Sequence, residues 1–168
     1  MYIIIPAYEP DKRLIQVVQD ITIKLPKARI IVVNDGSGPG YNDYYDETAF
    51  IGATVLTHPI NKGKGAALKT AFAHIQEEVV GQRLSAQPIV TVDSDGQPLI
   101  KDIVRVAKVT EENPSHLVLG ARAFVGKVPA RSRFGNKVTA GLFRLVTGQK
   151  VTDTQTGLRG MSTDLIPW

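Results

Sequence analysis

The residues best suited to chemistry are Asp93-Ser94-Asp95-Gly96-Gln97, where the apolar run Ile89-Val90-Thr91-Val92 stops abruptly at two carboxylates. Asp93 and Asp95, two apart with Gln97 following, offer oxygen ligands suited to a hard divalent cation such as Mg2+ or Mn2+. The same run also reads as a tight turn whose carboxylates cap the next helix, and spacing leaves both readings open. Other polar clusters follow apolar runs in the same way: Pro6-Ala7-Tyr8-Glu9, Asn34-Asp35-Gly36-Ser37, Asn61-Lys62-Gly63-Lys64-Gly65 and Arg122. A nucleotide among them would find a carboxylate such as Asp35 for its base or ribose and a glycine-flanked helix start for a phosphate. Taken alone, Asp35-Gly36-Ser37 is more often a turn than a ligand.

Gly63-Lys64-Gly65 is not a dinucleotide fingerprint, because Leu68 stands where the third glycine belongs, and not a P-loop, because Gly65 stands where Ser or Thr belongs. It remains a helix entry with close backbone approach and a lysine nearby. Arg122, Lys127, Arg131 and Arg133 place four cations in or beside one Gly/Pro-containing loop. They read as ordinary solvated charge or as a bidentate grip on a phosphate. Asp153, in a polar turn, is a general base or a capping residue. His58, His74 and His116 are scattered, and none is assigned to catalysis.

These clusters need a scaffold that brings strand ends together. Ile3 to Ile5, Arg29 to Val33, Ala53 to Thr57, Ile89 to Val92 and Leu117 to Gly120 read as short buried strands. Between them, Leu14, Val17, Val18 and Ile21 give a helix from about Asp11 to Lys24. A short helix follows the tyrosine-rich stretch from Pro39 to Asp46. Ala66 to Ile75 has strong helix propensity, Leu99, Ile103, Val106 and Ala107 mark another helix, and Phe134, Val138, Leu142 and Leu145 a last one ending at Gly148. Strand, helix, strand alternation implies an α/β fold with a mostly parallel sheet and right-handed crossovers. If the strands are parallel, the polar loops gather at one edge of the sheet, where such folds bind ligands.

At 168 residues and 43% hydrophobic content, the chain suits one domain with a full core. Twenty Lys+Arg against sixteen Asp+Glu gives a net charge of +4, which suits an anionic ligand or an anionic membrane surface. No basic stripe points to nucleic acid. Without cysteine there is no disulfide framework, thiolate metal site or catalytic thiol, which fits a cytosolic location. No run has the length of a transmembrane helix, and the N-terminus lacks a signal peptide's pattern. Asp164-Leu165-Ile166-Pro167-Trp168 reads as the start of a segment that continues, so the expectation is a single domain, 1–168, truncated at its C-terminus.

Four blocks in order, Ile5-Pro6-Ala7-Tyr8-Glu9, Val32-Val33-Asn34-Asp35-Gly36-Ser37, Asn61-Lys62-Gly63-Lys64-Gly65-Ala66-Ala67-Leu68 and Asp93-Ser94-Asp95-Gly96-Gln97, resemble glycosyltransferase family 2. Arg131-Ser132-Arg133-Phe134-Gly135-Asn136 and Asp153-Thr154-Gln155-Thr156-Gly157-Leu158-Arg159 resemble its polyprenyl-phosphate sugar transferases, the dolichyl-phosphate mannosyltransferase group. The resemblance implies a GT-A (Rossmann-like) fold, helices on both faces of the sheet, and inverting transfer from a UDP- or GDP-sugar to a polyprenyl phosphate at the cytoplasmic membrane face. It also implies roles by position. Pro6, Ala7, Tyr8, Glu9, Asp35, Lys64, Asp93, Ser94 and Arg122 would contact the donor, and Asp93, Asp95 and Gln97 the metal on its diphosphate. Arg131, Ser132 and Arg133, with Arg122, would address the acceptor phosphate or the donor diphosphate, and Asp153 is a candidate catalytic residue beside Asp95. A lipid phosphate is already anionic near neutral pH and needs no base, whereas a sugar hydroxyl acceptor would require one such as Asp153. Transfer to a saccharide hydroxyl, and a nucleotide-sugar-binding module without turnover, are the alternatives.

Overall fold

A computed structural model describes residues 1–96, 99–120 and 157–166. The strands are β1 (Tyr2–Ala7), β2 (Arg29–Asn34), β3 (Thr54–Thr57), β4 (Pro88–Thr91), β5 (Val118–Leu119) and β6 (Arg159–Ser162). The helices are α1 (Lys12–Lys24), α2 (Asn42–Ile51), α3 (Lys64–Gln82) and α4 (Ile100–Glu112). One six-stranded sheet has the order β3-β2-β1-β4-β6-β5. The four strands from β3 to β4 are parallel, and β6 runs antiparallel to both β4 and β5.

Alternation along β1 explains the layers. Ile3, Ile5 and Ala7 face one side with Leu14, Val18 and Ile21 of α1, Tyr45 of α2, and Ile103 and Val106 of α4. Tyr2 and Ile4 face the other side with Ala67, Ala71 and Ile75 of α3. A strand buried on both faces reads as a continuous apolar run, which is why Ile3 to Ile5 lacks polar alternation. From β1 the chain steps outward to β2 and β3, and α3 then carries it across the opposite face to β4, on the far side of β1. The C-terminal ends of β1 and β4 therefore flank the switch point where open α/β sheets form a ligand crevice.

The element boundaries follow local chemistry. Asp11 is the N-cap of α1, its carboxylate accepting the Arg13 N–H at 2.9 Å. Gly52, at φ 115°, closes α2 in the left-handed region. Val92, expected inside β4, lies just past it, although its N–H still reaches Ile4 O at 2.9 Å. The segment expected as a strand from Leu117 to Gly120 is a strand only at Val118–Leu119, and Leu117 is exposed. No strand is expected from the sequence pattern between Gly148 and Asp164. There β6 forms, wedged between β4 and β5. Its Gly160 lies so close to α4 that a Cβ there would stand 2.2 Å from Thr110 Oγ1 and 2.6 Å from Val106 Cγ1. The helix expected from Phe134 to Leu145 lies outside the described residues.

Gly160→Ala is therefore expected to cost about 1–3 kcal/mol by overpacking. Gly38→Ala, where a Cβ would meet nothing within 4 Å, should change stability by less than about 0.5 kcal/mol. Urea denaturation of the two variants beside the parent chain checks both; equal midpoints for all three would refute the close approach of β6 to α4.

Candidate active site

The loops after β1, β2, β3 and β4 meet at one edge of the sheet. At the end of β1, Ala7 O accepts the Asp35 N–H at 2.9 Å, so the first two loops are joined at their roots. Glu9 takes a left-handed backbone, φ 47°, and donates its N–H to Ser37 Oγ at 2.8 Å. Ser37 is in turn held by Asn34 Oδ1, which accepts its N–H at 2.9 Å, and lies 2.8 Å from the Tyr45 hydroxyl. Tyr45 reaches back to Ala7 O at 3.2 Å. Tyr8 stands half-exposed at the rim, where the neighbouring Glu9 carboxylate pushes its phenol above the ordinary value.

Asp35 is only 3% exposed. Its Oδ1 accepts the Lys62 N–H at 3.0 Å and lies 2.7 Å from His58 Nδ1. Burial works against its ionised form, but hydrogen bonds from Lys62 and His58 outweigh burial and hold the carboxyl below the usual range. Close packing fixes the same contact from the other side. Gly36, at φ 75°, leaves no room for a Cβ, which would fall 2.1 Å from the Ile60 carbonyl carbon.

The loop after β4 has a different character. Asp93, Ser94 and Asp95 are partly exposed, and Gly96 turns the chain at φ 76°. Asp93 Oδ1 pairs with Lys64 Nζ at 2.5 Å, their side chains 37% and 49% exposed. Lys64 opens α3, entered through Gly63 at φ 87°. The close backbone approach expected at Gly63 and Gly65 is not made to protein: a Cβ on either would meet nothing within 4 Å. Within the protein, Gly157 is the close neighbour of this loop: a Cβ there would overlap the Asp93 carboxylate, and Gly157 O accepts a hydrogen bond from the buried Thr91 hydroxyl at 2.8 Å. Gly157 thus lies directly beside Asp93.

Asp93 and Asp95 suit a hard cation that keeps open positions for substrate oxygens, since the Asp93 carboxylate is accessible and already draws a cation, the Lys64 ammonium. Among the described residues no three His, Cys, Asp or Glu side chains cluster as metal ligands. Pro6, Ala7, Tyr8, Glu9, Asp35, Lys64, Asp93, Ser94 and Asp95 thus come together at this edge. Gln97, Arg122, Arg131, Ser132, Arg133 and Asp153 lie outside the described residues. The spacing of the sequence did not single out His58, Thr70, Tyr45 or Thr91. The one signal was position, since His58 follows directly on β3.

Carboxylates and a lysine thus stand at the switch point of an open α/β sheet, where such folds bind ligands. The chain belongs to glycosyl transferase family 2, whose model matches residues 2–166. It is 29% identical to the UDP-N-acetylglucosamine–dolichyl-phosphate N-acetylglucosaminyltransferase of Methanococcus voltae, covering 96% of this chain and 69% of that protein. It is also 29% identical to the dolichyl-phosphate β-glucosyltransferase ALG5A of Trichomonas vaginalis, over 94% of this chain and 51% of that one. The chain thus spans between half and about two thirds of the length of these relatives. Among solved structures it resembles the mannosyl-3-phosphoglycerate synthase of Rubrobacter xylanophilus, with a TM-score of 0.67, 16% identity, and coverage of 98% of this chain and 54% of that one. The mannosyltransferase PcManGT of Pyrobaculum calidifontis, in complex with GDP-Man and Mn2+, matches with a TM-score of 0.52 and 21% identity, over 70% of this chain and 34% of that one. The fold is the GT-A fold, and helices cover both faces of its sheet as expected.

The lowered Asp35 carboxyl has a consequence for stability. Its contribution is present above the unfolded carboxylate value and is lost as pH falls through the lower folded value. Asp35→Asn is expected to cost about 1–3 kcal/mol at neutral pH, with the difference from the parent chain closing in acid. Denaturation midpoints across a pH series read this, and a difference that persists unchanged into acid would show that the charge contributes nothing.

Proposed function

We propose that this chain is the donor-binding part of a glycosyltransferase that moves a sugar from a UDP- or GDP-sugar to a polyprenyl phosphate, with inversion and with a divalent cation. The observation that carries the reading is the convergence of Asp35, Lys64, Asp93 and Asp95 at the switch point of the sheet, in a chain of glycosyl transferase family 2. The acceptor class comes from the relatives, whose names specify dolichyl phosphate.

In this reading each group acts through charge. Asp35 offers a fixed acceptor to the nucleoside, with Tyr8 and Glu9 at its side. Asp93 and Asp95, with Gln97, would hold Mg2+ or Mn2+, whose positive charge neutralises the diphosphate as it leaves. Lys64, released from Asp93, turns its ammonium toward the same diphosphate, and Ser94 lines the loop between them. Preorganised charge of this kind stabilises the transition state because it needs no rearrangement when the sugar bond breaks. Arg122, Arg131, Ser132 and Arg133 bind phosphate on the donor or acceptor. The acceptor's own anionic oxygen attacks the sugar carbon, so no proton has to be removed and Asp153 is not needed as a base. Among the described residues no helix is long and apolar enough to cross a membrane. Contact with the cytoplasmic face of a membrane belongs, in this reading, to the part of the longer relatives that this chain does not match.

Calorimetry with UDP-N-acetylglucosamine, UDP-glucose and GDP-mannose, with and without Mn2+, tests the proposal. One donor is expected to bind more tightly with the cation present, and Asp95→Ala to abolish that gain. Cation-enhanced binding that survives Asp95→Ala unchanged would remove the metal role from this loop.

A further inference from the structure

Asp35, His58 and Thr70 form a line of buried or half-buried polar groups. His58 is 6% exposed, and both ring nitrogens are engaged: Nδ1 lies 2.7 Å from Asp35 Oδ1 and Nε2 lies 2.8 Å from Thr70 Oγ1. An ionised carboxylate only accepts hydrogen bonds, so Nδ1 carries the hydrogen. A hydroxyl both donates and accepts, so Thr70 completes Nε2 whichever form the ring takes. In the neutral ring this arrangement selects the Nδ1–H tautomer.

The backbone holds the ring in that pose. The His58 N–H donates to Asn34 O at 2.9 Å, the Lys62 N–H closes on Asp35 Oδ1, and Gly36 packs against Ile60. The loops after β2 and β3 are thereby stapled together with the imidazole between them. The His58 ring and the Lys62 N–H meet the same carboxylate oxygen, Oδ1. That fixes the rotation of the group and hence the direction in which Oδ2 points.

We propose that His58 is a positioning residue for donor recognition, aiming the Asp35 carboxylate at the nucleoside, with Thr70 holding Nε2 and so the orientation of the ring. The inference rests on the reading of Asp35 as a nucleoside contact. It adds a second layer to that contact, of the kind that orients ligating groups elsewhere. His58 itself need never touch the donor.

The test uses the full chain, UDP and GDP as probes, and three variants. His58→Asn keeps an amide N–H near the place of Nδ1, His58→Leu keeps similar bulk without any N–H, and Thr70→Val removes the partner of Nε2. Nitrogen-15 imidazole spectra of the parent chain and of Thr70→Val are both expected to show the Nδ1–H tautomer, which the Asp35 carboxylate selects, while loss of the Nε2 partner in Thr70→Val is expected to weaken nucleotide binding about threefold. The dissociation constant of the nucleotide that binds is expected to rise about tenfold in His58→Leu and to return to within about threefold of the parent in His58→Asn. A merely structural role would let affinity follow melting temperature instead of the retained N–H. An Nε2–H tautomer, or His58→Leu binding as the parent does, overturns the role of His58. Should His58→Leu fail to fold, the tautomer and the Thr70→Val affinity decide. If the parent binds neither nucleotide while the Nδ1–H tautomer is seen, the donor reading of Asp35 fails, and the role inferred for His58 fails with it.

Discussion

The organising constraint is the burial of β1 on both faces with a parallel partner on each edge. Ile3, Ile5 and Ala7 on one side and Tyr2 and Ile4 on the other give up all contact with water only if helices cover both faces. Parallel neighbours then require crossover helices, and the crossovers return each of β1 to β4 in the same direction. The loops after β1, β2, β3 and β4 have no choice but to emerge at one edge. A catalytic or binding constellation drawn from residues dozens of positions apart follows from that one packing requirement.

At that edge two aspartates are held in opposite ways. Asp35 is dry, and its carboxylate persists there because Lys62 and His58 supply the hydrogen bonds that water would otherwise provide. Such a group is rigid, suited to recognising a donor of fixed shape. Asp93 is wet, and its partner is the flexible ammonium of Lys64. A half-exposed ion pair of this kind contributes little to stability and can be exchanged for another cation at small cost. Fixed recognition and exchangeable charge are thus separated into two loops, as the transferase reading requires.

The antiparallel insertion of β6 ties a remote stretch of chain to this edge. The buried Thr91 hydroxyl donates to Gly157 O, and Gly157 lies against the Asp93 carboxylate so closely that a Cβ there would displace it. Gly160 repeats the device against α4. The glycines of Gly63-Lys64-Gly65 act differently. Gly63 is needed for its positive φ at the entry to α3, and open space around it leaves the lysine free to reach across to Asp93.

Whatever depends on neighbours along the chain was legible in the amino-acid order. The apolar runs, the helical period of Leu14, Val18 and Ile21, the Asp11 start of α1 and the alternation that implies a parallel sheet are all set by residues a few positions apart. So were the family's motif blocks, and with them Asp35, Asp93 and Asp95. What the order alone left undetermined are contacts between distant residues of unremarkable type. His58 stands 23 residues from Asp35 and Lys64 stands 29 from Asp93, and no periodicity links either pair. The place of β6 between β4 and β5, and the closeness of Gly157 to Asp93, were equally hidden. Local sequence governs which elements form because backbone propensity and patterning act over one or two turns, whereas the pairing of loop side chains is decided only when the packed sheet fixes where each loop begins.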